Sequence, residues 1–553
     1  MANYNDLAEL IFPEITLTVE DLEKRYPKRD LKEGAMVTRF APSPTGFLHT
    51  GSLFTSLISN RYAKQSKGVF YIRLEDTDTK REIAGSGESL IKQLAVFDVI
   101  PDEGYLSDTE EKGIYGPYKQ SNRALIYKTC IKHLMKMGRA YPCFCTPEEL
   151  AELRKVQEAN KEIPGYYGKY AKYRDFPVDE AIAKIKAGEP YIIRFKSMGD
   201  HNNKVKFHDE IRGDLELTEN DQDIVILKGD GLPTYHFAHL CDDHFMHTTH
   251  ITRGEEWLPS LPIHLELFDT MGFERPKYAH FPVIMKVENG NRRKLSKRKD
   301  VEAAVSYFLE QGYPKYGFIE YLLTIANSNY EEWRNANLDK DFYDFKLSFD
   351  KMSLDGALFD LEKVASISKE RMAFRKASDL KEEVKEWAKV YNPEFYTKIV
   401  ADEEFFTKIL NIEREKEKPR KDYSKYSDIY PIISFFYDDV YDQIDLNSLD
   451  FGAFDKEDVK AVLNDYKESI DLSLDEEAWF NSMKELSMRH GFADNVKVWK
   501  KNKEAYKGHV GDVTGFLRIT LSGRSVCPNL YYIIQILGKE KTLARIDKVL
   551  KTL

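Results

Sequence analysis

The sequence predicts an α/β domain with a parallel sheet in its first half and an all-helical region in its second. Three observations predict this. Met36 to Ala41 and Val69 to Leu74 read as mostly apolar strands around a helical run, Leu53, Phe54, Leu57, Ile58 and Tyr62, which is the strand–helix–strand unit of a parallel sheet. Residues 117–228 then interrupt the sheet, with a helix start at Thr146-Pro147-Glu148-Glu149. Beyond residue 299 the apolar positions follow helical spacing, most clearly Val459, Val462, Leu463, Tyr466 and Ile470.

Bulk properties narrow the function. A chain of 553 residues with 42% hydrophobic content supports about three to five compact units. Its net charge of −10 requires any nucleic-acid-binding surface to gather its cations on one face. Five cysteines form no even framework, which points to a reducing compartment. No run of about 18 apolar residues spans a membrane, and the N-terminus lacks a basic-then-apolar signal. A cytoplasmic location is expected.

Residues 1–36 carry two short helical pieces, with Thr18 and Asp21 as a capping pair. After the first strand, Pro42, Pro44 and Gly46 impose a stiff turn. His49 and Gly51 then fall where the loop feeds a helix, whose exposed N–H groups and dipole suit an anion such as a nucleotide phosphate. An ordinary Pro/Gly turn would look the same. Thr146-Pro147-Glu148-Glu149 is a helix start. Tyr166 to Arg174 interleaves aromatic and basic residues, which suits single-stranded RNA as well as a self-packed loop.

Asp223 to Leu227 and Thr249 to Thr252 are expected to resume the sheet, with a helix between them. Six histidines lie between His236 and His264 without ligand spacing, so packing and hydrogen-bonding roles are expected. Asp242-Asp243 reads as a solvated helix end in preference to a metal pair. Val301 to Gly312 and Tyr316 to Ala326 are expected to be amphipathic helices. Glu413 to Lys421 reads as a solvated helix face, and two late helices are expected to flank Thr514 to Arg524.

The turn acquires its meaning from a second motif. Lys294-Leu295-Ser296-Lys297-Arg298 lies late in the same α/β region. A His-x-Gly turn after the first strand, paired with a Lys-x-Ser-Lys loop, resembles the class I aminoacyl-tRNA synthetases. Pro42-Ser43-Pro44-Thr45-Gly46 ahead of His49 most resembles the bacterial-type glutamyl-tRNA synthetases. Leu74 to Asp78, Gly116-Pro117-Tyr118, Pro233 to His236 and Ser353-Leu354-Asp355-Gly356 follow in the same order. The resemblance covers roughly residues 37–553. Ser52 stands where many class I enzymes carry histidine, and His239 where some relatives carry asparagine.

The resemblance implies a Rossmann-like catalytic domain, an inserted α+β acceptor-end domain and an all-α C-terminal anticodon-binding region. The implied organisation is an extension (1–36), a catalytic domain in two halves (37–116 and 229–299) and the insert (117–228). A connecting, stem-contact domain (300–375) and the anticodon-binding region (376–553) follow. It implies ligation of L-glutamate to tRNA(Glu) in two steps, with glutamyl adenylate between them. ATP with Mg²⁺, glutamate and tRNA are the implied partners of a monomer.

His49 and Lys297 are the implied catalytic residues. Pro42, His49, Gly51, Ser52, Lys294, Ser296 and Lys297 are implied for ATP, and Arg39, Ser43, Glu75, Tyr235 and Arg253 for glutamate. Some relatives bind zinc through Cys-x-Cys and later ligands. Here the segment that would follow Cys143 and Cys145 with ligands offers Tyr170, Ala171 and Tyr173 and no Cys or His, so no zinc is expected. A glutaminyl-type enzyme and a non-catalytic RNA-binding paralogue are the rival readings, and the second should have lost His49, Lys297 or Glu75.

Overall fold

The computed structural model describes residues 3–78, 82–296 and 298–553. It forms two units, residues 1–307 with 319–360 and residues 308–318 with 361–553.

The first unit opens with helices α1 (Tyr4–Ile11) and α2 (Val19–Arg25), started by Asn3/Asp6 and Thr18/Asp21 capping boxes. Strand β1 (Val37–Phe40), helix α3 (Thr50–Gln65) and strand β2 (Val69–Ile72) form the expected unit, with β1 and β2 parallel from Val37 opposite Val69. Helix α4 (Ser86–Val96) leads to β3 (Glu103–Ser107), parallel to β2, and β4 (Glu110–Lys112) folds back antiparallel on β3.

Helix α5 (Ala124–Lys136) precedes β5 (Ala140–Cys143), α6 (Pro147–Ala159), α7 (Val178–Lys186) and β6 (Ile192–Phe195). The hairpin β7 (Lys204–Asp209) and β8 (Gly213–Thr218) follows, then β9 (Val225–Leu227) and α8 (Tyr235–Phe245). Strand β10 (His250–Gly254), helix α9 (Leu261–Met271), strand β11 (Lys277–Phe281) and the hairpin β12 (Met285–Glu288) and β13 (Asn291–Lys294) complete the series.

Strand β10 runs parallel to β11 and lies beside β1, whose Val37 carbonyl accepts from Thr249 N at 3.0 Å. The parallel strands therefore stand in the order β3-β2-β1-β10-β11, reversing direction at β1/β10, where open α/β sheets place their ligands. Two expectations change here. Strand β9 does not resume this sheet but pairs antiparallel with β6, which itself pairs with β5. The β7–β8 hairpin, from inside the interrupting segment, instead joins the sheet edge, with Asp209 opposite Tyr278. An isolated apolar strand shows its burial in the sequence but not its neighbour.

Residues 3–36 pack on α5. Leu7, Phe12 and Leu22 share an apolar cluster with Tyr127, Ile131 and Leu134. Lys132 Nζ donates to the carbonyls of Phe12 (3.0 Å) and Ile15 (2.7 Å). Arg29 donates to the Met246 carbonyl at 3.0 Å and to Glu103 at 2.8 Å.

The second unit contains helices and turns and no strand among its described residues. The predicted stripe is the buried face of Lys456–Ser469. Thr514 to Arg524 is not flanked by two helices. Most of it lies within one, Val510–Ser522, because Val513, Phe516, Leu517 and Leu521 supply a buried face and Gly523, at φ 69°, ends the helix. Glu413 to Lys421 is a run of turns rather than a helix face. Arg414 explains this by reaching the carbonyls of Met372 (2.6 Å) and Ala373 (3.1 Å). The helices expected over 301–312 and 316–326 span Val305–Gln311 and Lys315–Ala326.

Candidate active site

A cleft of about 960 Å³ opens at the β1/β10 reversal point of the first unit. Arg39, Ser43, His49, Gly51, Ser52, Glu75, Tyr235, Arg253 and Lys294 all line it. Pro42 and Ser296 do not. The Pro42 carbonyl accepts from Glu75 N at 2.9 Å, so Pro42 holds Glu75 in place instead. Lys297 lies outside the described residues.

His49 is the N-cap of α3, and its Nδ1 accepts from Gly51 N at 2.9 Å. The Gly51 N–H is thus turned onto the imidazole and is not exposed as the sequence suggested. A Cβ on Gly51 would sit 3.1 Å from Nδ1, so glycine lets the ring cap its own helix. With Nδ1 accepting, the ring proton of neutral His49 is on Nε2.

The floor of the cleft is a buried charge network. Asp242 and Asp243 were expected at a solvated helix end, and both are instead buried. Arg39 Nε donates to Asp243 Oδ1 at 3.2 Å, and Arg73 Nη1 donates to the same oxygen at 2.8 Å. Arg123 Nε and Gln120 Nε2 donate to Asp242 at 2.5 and 2.8 Å. Arg73 Nη2 also donates to Glu75 Oε1 at 3.0 Å. A helix end reads as solvated only when its surroundings are unknown. Here arginines from β1, the end of β2 and the start of α5 converge on it.

Burial alone would raise Asp243, but Arg39 and Arg73 hold it well below the ordinary carboxylate range. Burial raises Glu75 despite Arg73 and Arg39 nearby. Three guanidinium groups thus face three carboxylates.

Arg253 is different. Among the described residues no carboxylate lies within ion-pair distance of it. Its Nε donates to His280 Nε2 at 2.9 Å, its Nη1 makes longer contacts to His264 Nδ1 (3.3 Å) and Tyr235 Oη (3.4 Å), and its Nη2 donates to the Trp257 carbonyl at 3.5 Å. The histidines serve as hydrogen-bonding and packing groups. His236 Nδ1 lies 3.0 Å from His264 Nε2, and His239 Nε2 lies 3.1 Å from Tyr278 Oη. Burial lowers His236 to about 4 and His239 to about 3, so both rings are neutral at pH 7.

The basic loop is anchored by Asp300, which lies just outside the Lys-x-Ser-Lys motif. Asp300 accepts from Arg293 at 2.6 Å and from Ser296 N at 2.8 Å. These bonds, led by Arg293, hold its carboxyl below the usual range. Lys294 Nζ donates to Glu256 at 2.8 Å. Gln120 and Trp257 also line the cleft unforeseen. Gln120 follows Gly116-Pro117-Tyr118 by two positions, which was its only signal.

Elsewhere in this unit, Tyr166 and Tyr173 of the aromatic–basic segment are buried, and Arg174 is bonded to Asp223 and the Ser197 carbonyl. Cys143 is buried, and Cys145 Sγ lies 3.7 Å from Tyr166 Oη. Among the described residues no group of three His, Cys, Asp or Glu side chains is placed to hold a metal ion. No helix of the described residues is long and apolar enough to cross a membrane.

Comparison with known proteins gives the same picture along the whole chain. A family model described as "tRNA synthetases class I (E and Q), catalytic domain" matches residues 35–341, and one described as "Anticodon binding domain" matches 358–550. A glutamate--tRNA ligase of Clostridium perfringens (strain SM101 / Type A) is 49% identical over 549 residues, covering 99% of this chain and 100% of that protein. One from Clostridium beijerinckii is 49% identical over 554 residues, covering 99% and 100%. A crystal structure of a glutamate tRNA ligase from Elizabethkingia meningosepticum, in complex with its amino acid, matches with a TM-score of 0.73 at 29% identity. It covers 94% of this chain and 100% of that one.

Proposed function

This chain belongs to the class I tRNA synthetases of the glutamate and glutamine branch, and from that premise we propose that it ligates L-glutamate to tRNA(Glu) at the cost of ATP. One observation carries the choice of amino acid. Beneath the cleft the arginines and carboxylates of the buried network balance one another, and Arg253 lines the cleft as a guanidinium with no acidic partner among the described residues. A substrate carboxylate supplies the missing charge, and a fork suits it better than an amide does. Glu75, beside Arg73, is the anion for the substrate ammonium. Arg39 and Arg253 orient the carboxylates, with Ser43 and Tyr235 beside them.

The first step needs alignment and charge neutralisation rather than a protein nucleophile. Glutamate's α-carboxylate attacks the α-phosphorus of ATP and diphosphate leaves; Mg²⁺, when bound, would offset the charge on the phosphates. His49 Nε2–H donates to the phosphate charge. Lys297 brings an ammonium to it, while Asp300 fixes the loop that carries Lys294 and Ser296. Gly51 and Ser52 shape the nucleotide side, and Pro42 steadies Glu75. In the second step a ribose hydroxyl of the terminal adenosine attacks the adenylate.

Residues 117–228 hold the acceptor end, 300–375 contact the stem, and 376–553 read the anticodon. The protein acts as a monomer in the cytoplasm, in keeping with five free cysteines. Charging of purified tRNA(Glu) and tRNA(Gln) with labelled glutamate and glutamine tests the reading. Glutamate is expected on tRNA(Glu), and a protein that charges neither tRNA overturns it.

A further inference from the structure

Arg253 is held from behind by two buried residues that touch no substrate. Its Nε donates to His280 Nε2 (2.9 Å), and His280 Nδ1 lies 2.6 Å from Asp209 Oδ2. His280 and Asp209 are both wholly buried. They come from β11 and β7, so the chain runs from the edge hairpin through the sheet to the cleft.

The proton positions follow from the chemistry. An arginine Nε–H can only donate, so His280 Nε2 accepts and the ring proton sits on Nδ1. That proton is donated to Asp209 Oδ2. Burial lowers His280 and keeps the imidazole neutral. Asp209 cannot turn over. Its Oδ1 already accepts from Ile211 N (3.1 Å), Arg212 N (3.0 Å) and His280 N (3.3 Å).

We propose that Asp209 and His280 are positioning residues that set the direction of hydrogen bonding at Arg253, pinning its Nε so that the Nη edge, held only by longer contacts to His264, Tyr235 and the Trp257 carbonyl, is turned to the substrate carboxylate. The inference rests on the reading of Arg253 as a glutamate contact. It assigns work to a dyad whose alternative is plain core packing. The dyad contributes polarity as well as volume, because an acceptor must face Arg253 and a donor must face Asp209.

Asp209→Asn separates polarity from packing. The three backbone N–H groups fix the amide oxygen at the Oδ1 place, which puts the NH₂ against His280 Nδ1. The imidazole must then accept at Nδ1 and carry its proton on Nε2. Two donors would meet at Arg253 Nε, although no atom has been added or lost in the side chain's outline. His280→Gln, by contrast, keeps an acceptor and a donor, whereas His280→Leu keeps neither.

The experiment is steady-state tRNA charging with glutamate and ATP varied separately. D209N and H280L are each expected to raise the KM for glutamate about tenfold, the effect of one lost oriented hydrogen bond. The KM for ATP should stay within about twofold, and H280Q within about threefold of wild type for glutamate. An unchanged glutamate KM in D209N overturns the proposal. So does a parallel rise of both KM values with a lowered unfolding midpoint, which is the mark of a structural role. If D209N does not fold, equal glutamate KM values for H280Q and H280L overturn it. A wild-type protein that charges no tRNA defeats the functional reading instead, so the two failures are distinct.

Discussion

Arg73 Nη1 donates to Asp243 Oδ1 across 2.8 Å with both side chains fully buried. Removing one member of such a pair leaves an uncompensated charge. Asp243→Ala is expected to cost about 3–5 kcal/mol, measured by urea unfolding against wild type. A loss under about 1 kcal/mol would show that water or a side-chain shift compensates.

The same network fixes the sign of the pH response. Asp243 is depressed in the folded state by Arg39 and Arg73, so its contribution is complete above its unfolded pKa of about 4 and is lost as pH falls through the folded value. His236 is depressed by burial to about 4, so its stabilising effect is complete above about 6.5 and declines as pH falls toward 4. His236 lowers stability as pH falls from about 6.5 to about 4, where Glu75, raised by burial, acts in the opposite sense, and Asp243 lowers it only below about 4. The urea midpoint should therefore fall on going below about pH 4, and a midpoint that levels off or rises there contradicts the assignment of Asp243.

Lys297→Ala is expected to slow aminoacylation about a hundredfold, the loss of one charge contact to the transition state, with tRNA affinity nearly unchanged. A near-normal rate removes the role given to the loop. Asp300→Ala tests the anchor: releasing Arg293 and Ser296 N should lower kcat/KM for ATP by at least tenfold or so while leaving the KM for glutamate in place.

Arg253→Gln is expected to raise the KM for glutamate about a hundredfold and to narrow the preference over glutamine, because the pocket's unpaired cation has gone. Arg253→Lys should restore only part, since a point charge lacks the fork. Activation assayed with each amino acid in the presence of tRNA gives the answer. Wild-type efficiency in the glutamine variant would make Arg253 a structural residue.

Protein purified without chelator is expected to carry no stoichiometric zinc, since Cys143 and Cys145 have no third ligand among the described residues. Elemental analysis finding one zinc per chain would redirect attention to Cys130 and His133.

Local signals were legible where a residue's role is set by its sequence neighbours. His49 and Gly51 could be placed at a helix start from the turn before them, and Val459 to Tyr466 from their spacing. What was hidden depends on partners far along the chain. Asp242 and Asp243 look solvated until Arg39, Arg73 and Arg123, each more than a hundred residues away, are brought to them. The capping of Gly51 N by the His49 imidazole is likewise hidden, because it depends on a rotamer that sequence does not reveal. Strand β9 was legible as a strand, but its partner β6 was not, since pairing is decided by the whole sheet.

The segment 3–36 has a consequence in time. Its acceptor and donor groups lie far downstream: Tyr26 O meets His247 across 221 positions, and Arg29 meets the Met246 carbonyl across 217. At a synthesis rate of about 5–20 residues per second, this stretch waits on the order of ten seconds or more before those partners leave the ribosome. Its two capped helices are far too short to persist alone in water. This stretch is therefore made well before it can settle, and its docking reports that the chain through α8 is already in place.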